Sequence, residues 1–279
     1  MMKIIPPAEI RSPEEIVFHY NLEKKLADRL RNADQEERKQ LYPQLYAELF
    51  EKVPYFCIRK SDTGSRRHKV ARQLKFLSRF ICPEKTFLEI GAGDCALAIE
   101  LCQYFKRVYA IDVSEQLRKD TTLPANFELR ISDGINVPLA AETVDVALSN
   151  QLMEHLHPED ARDQLANIFK ALAPAGIYII VTPHFFSGPH DISMHFDDVA
   201  TGFHLKEYTL CELSDLLKAV GFCKIWYYAK ISGTYVRMPL SSAIVFERLI
   251  APLPLALRKR MSQLFPFKHM LRIRLVARK

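Results

Sequence analysis

From Thr86 onward, five short runs rich in β-branched and apolar residues (TFLEI, RVYAIDV, NFELRIS, VDVALSN and GIYIIVT) alternate with amphipathic, helix-like stretches. That alternation predicts a parallel sheet wrapped by helices. A helix TLCELSDLLKAVGF ending near Gly221, a strand FCKIWYYAK and a closing strand MLRIRLVARK complete the pattern, the last read as an edge strand. The first 80 or so residues read differently. Ser12 suits a helix cap, with Pro13 at the first position and Glu15 completing a capping box, so one helix is expected from about Pro13 to Arg31. A second is expected from near Asn32, interrupted or restarted at Pro43, and a third, bearing Arg66, Arg67, His68 and Lys69, toward Ile81. Residues 1–82 are thus expected to form a helical cap or lid, and 83–279 a ligand-binding domain with an insertion at about 232–269.

At 48% hydrophobic and 26% charged residues, the 279-residue chain has the composition of an ordinary globular protein. No apolar run approaches the roughly 18 residues of a membrane span, and MMKIIPPAEIRSPEE lacks the apolar core of a signal peptide, so a cytoplasmic protein is expected. Cysteines 57, 82, 95, 102, 211 and 223 form no CxxC pair and read as reduced thiols. The net charge of +6 has a local origin, since no acid follows Glu247 while nine Lys and Arg residues do.

The stretch TFLEIGAGDCALAIEL places Gly91, Gly93 and Ala96 in the GxGxxA spacing of a dinucleotide-binding loop. Glycines between a strand and a helix let a ligand approach the backbone closely. Glu89 and Asp94, however, would stand beside a pyrophosphate, and like charges at about 4 Å cost roughly 4 kcal/mol at an effective dielectric of 20. A cationic ligand without phosphates suits the loop better.

LEIGAGDCALAIEL resembles motif I of the class I S-adenosylmethionine-dependent methyltransferases, usually ExGxGxG, with Glu89, Gly91 and Gly93 matching and Cys95 in place of the third glycine. Other segments continue the likeness in order, through VYAIDVS, ISDGINVPL, VDVALSNQLMEHLHPED, LAPAGIYIIVTP and GFHLKEYTLCELSDLLKAVGF. The resemblance implies a doubly wound, Rossmann-like α/β fold of seven mostly parallel strands with an antiparallel last strand, binding S-adenosylmethionine. It implies cofactor contacts from Glu89, Gly91, Ala92 and Gly93, and from Asp112 and Val113 at the ribose. Asp133 and Gly134 would sit at the adenine, with Asn150 and Gln151 after the fourth strand.

The implied activity is methyl transfer to a small-molecule or glycan-type acceptor, most plausibly to oxygen. A hydroxyl acceptor calls for a base, and His155, His184 and His190 are the candidates, because histidine titrates near neutrality. A metal site built from His155, His184, His190, His195 and His204 with Asp191, Asp197 and Asp198 is the lesser reading, since no recognised ligand spacing appears, and none is expected. The Arg66, Arg67, His68 cluster reads as a solvated helix face, with contact to substrate phosphates or carboxylates the second possibility. MPLSSAIVFERLIAPLPLALRKRMSQLFPFKHM reads as a packed helical insertion whose Arg258, Lys259 and Arg260 stay solvated, in preference to a peripheral membrane contact; nucleic-acid binding is not expected. Two alternatives stay open: a non-catalytic cofactor-binding module and a nicotinamide-dependent oxidoreductase.

Overall fold

The computed structural model describes residues 9, 11–53, 63–115, 122–262, 264 and 271–279. Ser12 caps α1 (Pro13–Asn32) as its sequence requires: the hydroxyl accepts from the Glu15 amide at 3.2 Å, and the Glu15 carboxylate accepts from the Ser12 amide at 2.7 Å. Asp34 caps α2 (Gln35–Lys52), which runs unbroken through Pro43, contrary to the expected break. Burial explains the difference. A mid-helix proline costs about 3 kcal/mol, whereas each fully buried Leu returns roughly 1.5–3, and Leu41, Leu45 and Leu49 are all in the core. α3 (Thr63–Leu77) ends in a single 3₁₀ turn, Ser78–Phe80.

The sheet comprises β1 (Thr86–Ile90), β2 (Arg107–Asp112), β3 (Phe127–Ile131), β4 (Val144–Asn150), β5 (Leu172–Pro183), β6 (Lys224–Ile231), β7 (Thr234–Met238) and β8 (Arg272–Arg278). Their order is β3-β2-β1-β4-β5-β8-β6-β7, parallel from β3 to β5 and antiparallel at each later pairing. The remaining helices are α4 (Ala96–Leu101), α5 (Pro158–Ala171), α6 (Leu210–Val220), α7 (Leu240–Ile250) and α8 (Leu255–Ser262).

Two expectations are corrected here. The sheet has eight strands, because the start of the expected helical insertion is a hairpin: Ser232 and Gly233, at φ +46° and +81°, form a two-residue turn that returns β7 antiparallel onto β6. And β8 is an interior strand between β5 and β6, its residues 273–277 all buried, while the edges are β3 and β7.

Period-2 alternation divides the sheet into two faces. Leu88, Ile90, Ile273, Leu275 and Tyr227 join the larger core with α1, α2, α5 and α6. Phe87, Val276, Tyr228 and Tyr235 join a second core, under α3 and α4. α2 is held to the first layer by a buried ion pair in which Arg38 donates from Nε to Asp160 at 2.6 Å and from Nη2 at 2.9 Å. α7 is tied in by Glu247, which accepts from His184 Nε2 at 2.8 Å and from the Leu210 and Cys211 amides at the start of α6. In α8 the basic run is only partly solvated: Lys259 reaches the Asp198 carbonyl at 3.0 Å and Arg258 lies 4.8 Å from the Phe186 ring centre, leaving Arg260 exposed. Among the described residues no helix is long and apolar enough to cross a membrane.

Candidate active site

The loop after β1 sits where the strand order reverses, β2 and β3 lying to one side and β4 to the other, at the carboxyl ends of the parallel strands. Open α/β sheets bind ligands at this place. Gly91 and Gly93 take φ +70° and +56°, and Cys95 takes φ +56° as well, so the motif's third glycine position does have glycine geometry here. A Cβ on Gly91 would meet Leu152 Cδ1 at 3.0 Å, whereas one on Gly93 would meet nothing within 4 Å. The space over Gly93 is open to a ligand.

Asp112 ends β2 facing this space. Its Oδ2 accepts from the Gly93 amide at 2.7 Å and its Oδ1 from the Ser114 amide at 3.1 Å, which fixes the carboxylate while its remaining lone pairs line a cavity. Burial raises its pKa, and those amides oppose the rise. Opposite stand Tyr42, Tyr46 and Phe50 of α2, which roof the cavity; Val113, Gly134 and Leu152 complete its apolar lining. The three aromatics recur every four residues and share one helix face, a signal present in the sequence but not read as a site. Asp133 does not reach in as expected. Its Oδ1 accepts from the Ile135 and Asn136 amides and its Oδ2 from the Asn136 side chain at 2.5 Å, and the cavity wall there is Ser132, Gly134 and Asn136.

At the other end of the loop a second opening is bordered by Glu89, Ala92, Asp94, Asn150 and Gln151. Asp94 is paired, its Oδ2 receiving Arg66 Nε of α3 at 2.7 Å, while its Oδ1 accepts from the Ala96 amide at the start of α4. Arg66 therefore does not lie on a merely solvated face. Glu89 differs: it is buried, and its Oε2 has no hydrogen-bond partner. Burial pushes its pKa up to about 8, with Lys69 drawing it down.

A buried carboxyl with one oxygen unpartnered, an open cradle at Gly93 and a fixed carboxylate under an aromatic roof fit a ligand with a cationic end, a hydroxylated middle and a flat apolar end. S-adenosylmethionine has that form. Residues 88–180 match the methyltransferase domain family. That segment is a methyltransferase domain, and the chain is a methyltransferase. Among solved structures, this methyltransferase is similar to an S-adenosylmethionine-dependent methyltransferase of Archaeoglobus fulgidus, at 20% identity and TM-score 0.53 over 81% of this chain and 99% of that one. It is also similar to phosphoethanolamine N-methyltransferase 1 of Haemonchus contortus in complex with phosphoethanolamine and S-adenosylhomocysteine, at 15% identity and TM-score 0.57 over 88% of this chain and half of that one. At such identities the likeness establishes the fold. A comparison with curated proteins gives no match.

The three candidate bases part company. His155 borders the cofactor cavity, its Nδ1–H donating to the Phe203 carbonyl at 3.0 Å; burial and the charge of His204 push its pKa down to about 3. His184 is buried with both nitrogens engaged, Nε2 on Glu247 and Nδ1 accepting from the Phe186 amide, so it has no lone pair for an acceptor. His190 stands at the rim of a further cavity lined by Asn150, Gln151, Lys69, Arg272 and Arg274, with Ser187 Oγ 2.8 Å from its Nε2. Desolvation lowers its pKa, while Glu207 and a hydrogen bond to the His184 backbone oppose the fall.

Among the described residues, Glu154, His155 and His204 come within metal-ligand range of one another, a set without Asp191, Asp197 or Asp198. Burial works against a charge on His204, but Glu207 at 2.7 Å, with Glu154 and Asp191, raises its pKa on balance.

Glu89 gives a pH signature for cofactor binding. With its pKa near 8 the free carboxyl is mostly protonated at neutral pH, and a bound ammonium lowers that pKa. Binding then expels a proton, so the S-adenosylmethionine dissociation constant is expected to fall by up to about tenfold per pH unit between about pH 6 and 7.5. Calorimetry over that range checks it, with Glu89→Gln expected to give a flat profile; a flat profile for the unaltered protein would remove Glu89 from the site.

Proposed function

We propose that this methyltransferase methylates a hydroxyl oxygen of a small-molecule or glycan-type acceptor bound in the His190 cavity. The observation that carries this reading is continuity: Asn150, Gln151, Lys69 and Gln73 line both the His190 cavity and the opening at the glycine loop. S-adenosylmethionine, when bound, supplies an electrophilic methyl group on sulfur. The chain's own task is to hold an acceptor oxygen in line, and such orientation is worth roughly 7–11 kcal/mol. In this reading His190 takes the hydroxyl proton. The described lining of this cavity carries basic, neutral and aromatic side chains and no carboxylate, which favours a hydroxyl over an ammonium-bearing acceptor, even though the Haemonchus contortus relative is an N-methyltransferase.

Release of S-adenosylhomocysteine against matched hydroxyl and amine acceptors tests the reading. Turnover confined to amines would overturn the oxygen assignment, and binding of cofactor without turnover on any acceptor would favour a non-catalytic module. Asp112→Ala should lose two charge-assisted hydrogen bonds at about 1.5–3 kcal/mol each, and so weaken cofactor binding by roughly a hundredfold or more. An unchanged dissociation constant would leave Asp112 a purely structural turn residue.

A further inference from the structure

Three separate elements bring cations to the His190 cavity. On α3, Lys69 and Arg72 are three residues apart on a face continued by Gln73 and Phe76; on β8, Arg272 and Arg274 alternate onto the face of Val276; on β6, Lys230 follows Trp226 and Tyr228 on that same face. No described carboxylate forms an ion pair with any of these five, although Arg38, Arg66 and Lys259 elsewhere each have one. Arg274 is the telling member. It is only 7% exposed, its Nη1 has no hydrogen-bond partner, and its guanidinium lies 5.4 Å from the Tyr235 ring centre. Burying an unpaired guanidinium costs several kcal/mol. The like charges compound this: burial first, and then repulsion from Arg272 and Arg72, hold both Arg274 and Lys230 below their ordinary pKa values. A cluster arranged this way is suited to an anion.

We propose that the cavity binds a phosphoryl group carried by the methyl acceptor, with Arg274 at its floor and Arg272, Lys230 and Arg72 around it. The assignment rests on the methyltransferase reading of the same site. Guanidinium forks match carboxylate and phosphate alike. The charge separates them, since four cations exceed what one carboxylate neutralises and suit a dianion or a diphosphate. Lys69 also borders the glycine loop, where it is available to the carboxylate of the cofactor's methionine end. With the phosphoryl group on Arg274, the rest of the acceptor extends toward Asn150, Gln151 and His190, where its hydroxyl would be methylated.

Calorimetry of the full chain with inorganic pyrophosphate, phosphate and acetate at matched ionic strength, and separately with S-adenosylhomocysteine, tests this. Pyrophosphate and phosphate should bind and acetate should not. Arg274→Gln, and independently Lys230→Gln with Arg272→Gln, should each weaken pyrophosphate binding about tenfold or more while leaving S-adenosylhomocysteine affinity within about twofold. Should Arg274→Gln fail to fold, the double variant decides, because its two side chains are not in the core. Pyrophosphate binding no tighter than acetate, or unchanged in the double variant, overturns the phosphoryl assignment. If S-adenosylhomocysteine itself does not bind, the methyltransferase reading fails instead.

Discussion

Arg38→Ala is expected to destabilise the protein by about 3–5 kcal/mol, because it leaves Asp160 buried without its cation. Asp160 is fully buried, receives two of Arg38's hydrogen bonds, and otherwise has the Tyr42 hydroxyl at 2.7 Å. For a chain of this size each kcal/mol moves the melting temperature by roughly 2–4 °C, so thermal unfolding should drop by about 6–20 °C. The loss should also reach the cofactor. Tyr42 both accepts from the His157 amide and roofs the cavity over Asp112, and a Cβ on Gly134 would already touch its ring at 3.0 Å, so displacement of α2 changes the cavity wall at Ser132 and Gly134. A double variant, Arg38→Met with Asp160→Leu, should recover part of the stability, since it removes both charges rather than stranding one. Melting of Arg38→Ala within about 2 °C of the unaltered protein would mean that the pair contributes little.

That clamp marks the limit of what was legible in the sequence. β1 and β4 were readable to the residue because buried apolar strands bounded by turns carry their own ends, and the Ser12 capping box is a local code that the chain obeys. The glycine loop and Asp112 were legible because both lie in one strand-helix-strand unit, β1-α4-β2. Arg38 and Asp160 are 122 residues apart, and nothing local in EERKQ announces a buried arginine. Pro43 suggests a break because helix propensity alone does not register the burial of Leu41, Leu45 and Leu49 that overrides it. β7 was missed because five residues ending before Pro239 look like loop until β6 supplies a partner.

The anion cavity lies between these extremes. RIRL alternates visibly, and Lys69, Arg72, Gln73 and Phe76 follow helical spacing, so each element was legible alone. Only the order β5-β8-β6 and the placement of α3 over that face bring the cations together. The same convergence separates the three histidines that the sequence could only group.

Those histidines should yield three distinct phenotypes, and the largest belongs to His190. His190 lines the acceptor cavity, and His190→Ala is expected to lower kcat by about 10²–10⁴ with cofactor affinity nearly intact. Because desolvation holds its pKa below the usual histidine value, the rate of the unaltered enzyme should rise with pH through the acidic range and level off by about pH 7, and the variant should lose that rise. His155→Ala should act on the cofactor instead, raising its KM, since this ring borders the cofactor cavity and shares contacts with Tyr46 and His204. His184→Ala should act on stability, because it strands Glu247 among its remaining amide donors and cuts the tie between α7 and the segment after β5. Steady-state kinetics across pH, cofactor calorimetry and thermal melting on the three variants separate these outcomes. If His190→Ala turns over normally on a hydroxyl acceptor, the proton leaves without its help, and in-line positioning alone must account for the rate.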